Sequence, residues 1–521
     1  MNEELLQIIG DFTHFSTFTA EERTRALERV QDYATAPPDE FASLCAALVQ
    51  VDAEELAKAA ELFSAWMKNI LRSRRKNRLV SASPWLRADL PRHLAALYQH
   101  LPDSFSLRGR LLECLATGGT QEELQLLVGL LEHAPPATEE AIDAALVPLF
   151  QFNDYEVTHL FPSLLNCLAQ PRLTASVLDL ANYLTRQQRV KEHPARERRT
   201  ELMALLGELT QRMQRLEEHP ERHVASATEL SKTVAHGVAL AVSLCDALAL
   251  IGDAEASPKL YQAMELRHRR IRTEAAGALA RLGEKTGREE LLKLASEPVA
   301  RLRVLAYAEE LGLLDQVEAE YQTPAARAEA EMVLWLSAPQ QYGLPPVSCE
   351  LLDHRTQYWP SYEEPRDCYL FRYEYRFEGE AGPTSFSNVG IVGPLVKTMQ
   401  ADLTELPLED VYALFAGWHV EHDDIFEVQA NLLNETQRIE LVRFERRLKD
   451  DGCDQIRPLL LCYFFAEKSL VAQVRREGQT GIALAAADET LFFPKQHARS
   501  LGADEILHLY RGRKLLREFN A

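Results

Sequence analysis

Three runs between residues 244 and 315 each end in an apolar residue followed by glycine: Ile251-Gly252, Leu282-Gly283 and Leu311-Gly312. Glycine at such a point closes a helix in the left-handed conformation, which is costly for any residue with a Cβ. The three glycines recur about every thirty residues, the spacing of an array in which one helix ends in glycine and a second follows. No other feature constrains the chain as much. At 521 residues it is too long for one compact core. Stacked repeats escape that limit, because each buries its apolar face on its neighbours.

The residues around these glycines carry a resemblance. Ile271-Arg-Thr-Glu-Ala-Ala-Gly-Ala-Leu-Ala-Arg-Leu-Gly283 resembles the HEAT repeat, particularly the short form of phycobilisome lyase subunits. Residues 243–253, with an Ile-Gly-Asp loop and Pro258 opening the next helix, are similar, and residues 301–312 match more weakly. Ala275, Ala276, Ala278 and Ala280 are small enough to let paired helices approach closely. Arg272 and Arg303 stand at equivalent phases, where the resemblance implies a side chain that ties one repeat to the next.

The rest of residues 1–340 reads as helices of less regular length. Thr19-Ala-Glu-Glu22 has the form of a capping box. Residues 106–116, 121–133, 139–150 and 157–168 read as helices. Residues 200–219 read as one long amphipathic helix, with Leu202, Leu205, Leu206, Leu209, Met213 and Leu216 at helical spacing and charged flanks. Such a helix serves either as a long repeat helix or as a docking surface.

The texture changes near Gln340. Tyr369, Phe371, Tyr373, Tyr375 and Phe377 alternate strictly, which predicts a strand, and residues 384–392 supply its hairpin partner. Residues 407–428, 437–449 and 504–516 read as helices, and 458–465, 470–474, 481–485 and 490–493 as short strands. The expected fold is therefore mostly α: a HEAT-like α-solenoid over residues 1–340, clearest at 236–340, followed by a smaller α+β domain over 345–521 containing a short, mainly antiparallel sheet.

Asp and Glu number 78 against 57 Lys and Arg, a net charge of −21. This balance argues against a general binder of nucleic acid or anionic lipid. None of the eight cysteines sits in a Cys-x-x-Cys pair. They do not form a disulfide framework, and a reducing compartment is expected. The N-terminus lacks a basic region followed by an apolar core. No apolar run of about eighteen residues reads as a membrane span. Cytoplasmic location is the expectation.

Two clusters invite chemistry. In Trp418-His-Val-Glu-His-Asp-Asp424, His419 and His422 stand three apart on an expected helix and would project from nearly one face. With Asp423 they offer a ligand mixture that zinc accepts, although a solvated acidic helix face has the same composition. Arg72, Arg74, Arg75, Lys76 and Arg78 form the dense basic run. They could contact phosphates or an acidic protein partner, but cations also favour a helix C-terminus. No aromatic residues interleave them for base stacking. Cys349 and His354 make a nucleophile–base pair only if the fold joins them. Gly390-Ile-Val-Gly393 lacks the lysine of a phosphate loop.

No motif implies a cofactor, and no catalytic signature stands above background. The expected role is a non-enzymatic scaffold or adaptor whose solenoid surface binds a protein partner. Two alternatives follow from the resemblance: a lyase-like enzyme subunit that holds its substrate on the repeats, and a nucleic-acid-binding HEAT-like protein.

Overall fold

The computed structural model describes residues 3–33, 38–78, 89–219, 226–379, 382–420, 424–429, 433–464, 467–487, 489–495 and 500–521. The chain forms two compact units, Met1–Leu291 and Leu292–Ala521. The first begins with α1 (Glu3–His14), α2 (Ala20–Asp32), α3 (Pro38–Leu48), α4 (Ala53–Lys58) and α5 (Ala60–Arg78). It continues through α6 (Leu90–His100), α7 (Gly109–Gly118), α8 (Gln121–His133), α9 (Glu139–Gln151) and α10 (Pro171–Arg186). Then come α11 (Arg199–Glu218), α12 (Ala227–Ile251), α13 (Ser257–Met264), α14 (Arg269–Arg281) and α15 (Lys285–Lys293).

Alternate helices stack. The row α5, α7, α9, α10, α12, α14 runs through this unit, and α11 packs on both α12 and α13. The stretch 157–168, expected as a helix, is instead two 3-10 turns, Val157–His159 and Ser163–Ala169. Pro162 stands between them, and its missing N–H cannot continue an α-helical ladder.

Local chemistry sets the helix ends. Thr19 and Glu22 cap α2 reciprocally, and Thr120 and Glu123 do the same for α8. Gly252, Gly283 and Gly312 all have left-handed backbones, with φ of 76°, 87° and 67°. After Gly283 the Glu284 N–H donates to Leu279 O at 3.0 Å, which takes up an orphan carbonyl of α14. Nothing lies within 4 Å of the position a Cβ would take at these three glycines. Conformation rather than space therefore demands glycine. Gly283→Ala is expected to destabilise the first unit by about 1–2 kcal/mol, read as a lower urea midpoint at unchanged slope.

Partly buried ion pairs join neighbouring helices. Arg186 of α10 pairs with Asp246 of α12, and Arg29 of α2 grips Asp11 of α1 at 2.6 and 2.9 Å. Arg272 pairs with Glu290 on the very next helix, α15. The stretch of α12 that most resembles a membrane span packs largely into the core instead. Residues Thr228–Ile251 are long and apolar enough to cross a membrane, which the sequence reading did not expect. Yet Leu244, Cys245, Ala247 and Leu248 are fully buried within the cluster that α12 shares with its neighbours.

The second unit opens with α16 (Pro298–Glu310), α17 (Ala319–Gln322) and α18 (Pro324–Ser337). Buried Arg301 of α16 joins α18 by donating to Glu329 at 2.6 Å and to Ala326 O at 2.8 Å. Beyond them come β1 (Ser348–Gln357), β2 (Arg366–Gly379), β3 (Gly382–Val392), β4 (Lys397–Thr398), α19 (Leu408–His419) and β5 (Asp424–Glu427). The chain closes with α20 (Glu435–Asp450), β6 (Cys453–Phe464), β7 (Glu467–Arg476), β8 (Gln479–Ala485), β9 (Thr490–Pro494) and α21 (Ala503–Phe519). There are two antiparallel sheets where one was expected, ordered β1-β2-β3-β4 and β5-β6-β7-β8-β9.

The β2 strand is buried on both faces over Cys368–Phe371 and on one face beyond. Tyr369, Phe371, Tyr373 and Tyr375 pack against Ala328, Met332 and Leu336 of α18. Cys368 and Leu370 point the other way, into a core with Val411, Leu414 and Phe415 of α19. The apolar face of α18 is thus covered by a sheet, so α16–α18 fall with the α+β elements. Two further departures have local causes. The expected helix 407–428 stops at His419, because residues 424–427 pair with Leu460–Tyr463 of β6. The Val420 carbonyl at that stop is taken by Arg511 Nη2 at 2.7 Å. The β1 strand escaped notice because a register shift between Leu351 and Asp353 breaks its period of two.

Candidate binding groove

The long amphipathic helix read from residues 200–219 is α11, and it borders a groove of about 420 Å³. Leu202 and Leu206 face inward and are fully buried. Leu205, Leu209, Met213 and Leu216 line the groove on the α11 side. Thr233, His236, Gly237 and Leu240 line it from α12, and Pro171 at the start of α10 touches one end. The lining is apolar at its floor and cationic at its rim, where Arg212 and Lys232 are exposed beside a single carboxylate, Glu208. Neither cation has a carboxylate partner among the described residues. His236 does, its Nδ1–H donating to Glu139 Oε1 at 2.7 Å. A methyl group at Gly237 would stand 2.6 Å from Met213 Sδ, so the bare glycine makes room for that thioether.

A buried histidine lies in the same unit. His193 Nδ1 accepts from the Ala195 N–H at 3.1 Å, which leaves Nε2 to donate to Asn182 Oδ1 at 2.9 Å. Asn182 passes the chain on to Ser243 O of α12 at 3.1 Å. Burial pushes the His193 pKa down to about 4. The unfolded chain takes up a proton near the ordinary histidine value while the folded chain does not. The stabilisation is therefore complete above pH 6.5 and is lost as pH falls from 6.5 to about 4. It amounts to about 3 kcal/mol. A urea midpoint series across this window is expected to fall more steeply for the native chain than for His193→Gln.

Three of the five cations in the basic run at the end of α5 are held by carboxylates. Arg74 is buried and pairs with buried Glu123 of α8. Arg75 reaches Glu113 of α7 at 2.9 Å. Arg78 grips Asp154, donates to Thr117 O at 2.5 Å and lies 4.5 Å over the Phe152 ring. Arg72 and Lys76 are exposed without a described partner, and Arg75 is exposed but paired. Three of these cations therefore stitch helices together and are not presented as a surface patch.

His419 is the last residue of α19, with its ring stacked on Tyr362 and edge-on to Trp359. The helix that would have set His419 and His422 on one face has ended at this point. His422 and Asp423 themselves lie outside the described residues. Among the described residues no three His, Cys, Asp or Glu side chains gather as a metal site would require. Cys349 and His354 are not brought together: Cys349 lies opposite Tyr373 and His354 opposite Tyr369. Burial, with Glu329 nearby, pushes the Cys349 thiol up to about 12, so it stays protonated. His354 stacks on Tyr369 at 4.4 Å. Gly390 accommodates the Met332 side chain, which makes it a packing position between β3 and α18.

The α11 half of the groove was legible as a row at helical spacing. The α12 half was not, because Lys232, His236 and Gly237 carry no periodic signal until the two helices are laid side by side. No family model matches the chain, and no curated protein matches it.

Proposed function

We propose that this chain is a non-enzymatic scaffold or adaptor of the HEAT type that works in the cytoplasm and holds a protein partner against its stacked helices. The observation that supports the reading is the α11–α12 groove, an apolar trough with a charged rim on a stack of helices joined by buried and partly buried ion pairs. A trough already formed by packed helices lowers the ordering cost of binding, which is how preorganised surfaces gain affinity. The glycine-closed helices and their alternate stacking accord with the repeat resemblance.

The test is isolation of the full chain from its native host, with cross-linking before lysis and mass analysis of the intact assembly. A protein partner at a fixed stoichiometry, cross-linked to the first unit, is expected. A chain that emerges alone, or that is recovered with a small molecule it turns over, would overturn the proposal.

A further inference from the structure

Resting on the scaffold reading, we infer that the α11–α12 groove takes an acidic, amphipathic helical segment of the partner. The groove is a line. Leu205, Leu209, Met213 and Leu216 occupy successive turns of α11, a span of about 16 Å at the helical rise. A second helix laid along them would meet this row with side chains at i, i+4 and i+7, the anchor pattern of helix-in-groove recognition. The volume of about 420 Å³ suits two or three leucine-sized side chains inserted between α11 and α12, and a few deeply seated apolar anchors carry most of the binding energy in interfaces of this kind.

Charge selects the partner's flanks. Arg212 and Lys232 stand on opposite walls of the groove, exposed and without a described carboxylate partner. They are conspicuous in a chain whose net charge is −21. The other cationic candidate, the run at the end of α5, has Arg74, Arg75 and Arg78 committed to Glu123, Glu113 and Asp154. A segment with glutamates or aspartates beside its apolar anchors would complete both walls of the trough. A basic segment would meet two like charges.

Gly237 tunes the depth. A Cβ there would displace the flexible Met213 thioether, and the groove is the open side toward which it can move.

The experiment uses the full chain and a fluorescein-labelled helical peptide of about 16 residues with leucines at i, i+4, i+7 and i+11 and glutamates flanking them. Anisotropy titration is expected to show about tenfold tighter binding than for the same peptide with lysines in place of the glutamates, a difference that shrinks with added salt. Arg212→Glu with Lys232→Glu is expected to reverse the preference, and both positions are exposed, so circular dichroism and melting should be unchanged. Gly237→Ala is expected to weaken the acidic peptide severalfold. Equal binding of both peptides, or a preference that survives the double substitution, would overturn the inference. So would saturable binding of oleate without binding of the acidic peptide, which would make the groove a site for small amphiphiles. If the peptide fails while the host partner still co-purifies with the double variant, the inference falls and the scaffold reading stands. If the peptide binds but the chain carries no host partner, the scaffold reading is the one that fails.

Discussion

Gly512→Ala is expected to lower the stability of the second unit by about 3 kcal/mol, at the upper end of overpacking costs. Helices α19 and α21 cross at a point where backbone meets backbone. A Cβ on Gly512 would overlap the Ala413 carbonyl oxygen, and one on Gly417 would overlap the carbonyl of His508. Neither obstacle is a flexible side chain that can swing aside. The added methyl must push the helices apart, and they share the core made by Val411, Leu414, Phe415 and Leu509. For a unit of this size the melting temperature should drop by about 10 °C. Gly129→Ala in α8 is the control. It has no neighbour within 4 Å of the added methyl, so the better helix propensity of alanine should raise stability by about 0.5–1 kcal/mol. Calorimetry of both variants checks the sign as well as the size. A Gly512→Ala chain that melts like the native one would show that the two helices are not in backbone contact.

Glu123→Ala is expected to be more damaging still, at about 3–5 kcal/mol. Glu123 sits buried against Arg74, which is itself buried beside Cys114. Removal of the carboxylate leaves a guanidinium in the core without its counter-charge, and also removes the side chain that caps α8 through Thr120. The pair as a whole is a different matter, because the desolvation of two ions offsets most of their attraction. Arg74→Met combined with Glu123→Leu should therefore recover much of the loss. Urea denaturation of the single and double variants forms a cycle that separates the two effects. If the double variant is as unstable as Glu123→Ala, the damage comes from the lost cap and not from the stranded charge.

The sequence reading and the structure part company where a side chain's role depends on its neighbours. The run from Arg72 to Arg78 looks like an outward cationic patch, because adjacent charges in a sequence say nothing of where each points. Folding sends Arg74, Arg75 and Arg78 to three different carboxylates. The helix expected to continue beyond His419 has no internal reason to stop there, since Asp424-Ile-Phe-Glu427 becomes a strand only by pairing with β6. Gly417 of α19 and Gly512 of α21 are where the two helix backbones meet, and nothing local to either helix marks that contact. Within the candidate groove, half the lining was visible as the apolar row of α11, and the other half needed α12 beside it.

What the sequence by itself determined is what local chemistry decides. Glycine closes helices at 252, 283 and 312, Thr19 and Glu22 cap α2, and the alternation from Tyr369 to Phe377 makes a strand that can be buried on a face. These depend on backbone conformation and on periods of 3.6 and 2, which are written within a few residues. What only the tertiary structure decided is which surfaces are shared. The sheet face of β2 covers the apolar face of α18. A helix apolar enough to cross a membrane becomes a core helix. Arg212 and Lys232, on consecutive helices, line the two walls of one groove. These contacts join separate elements of the chain, and no period or cap in the sequence records them.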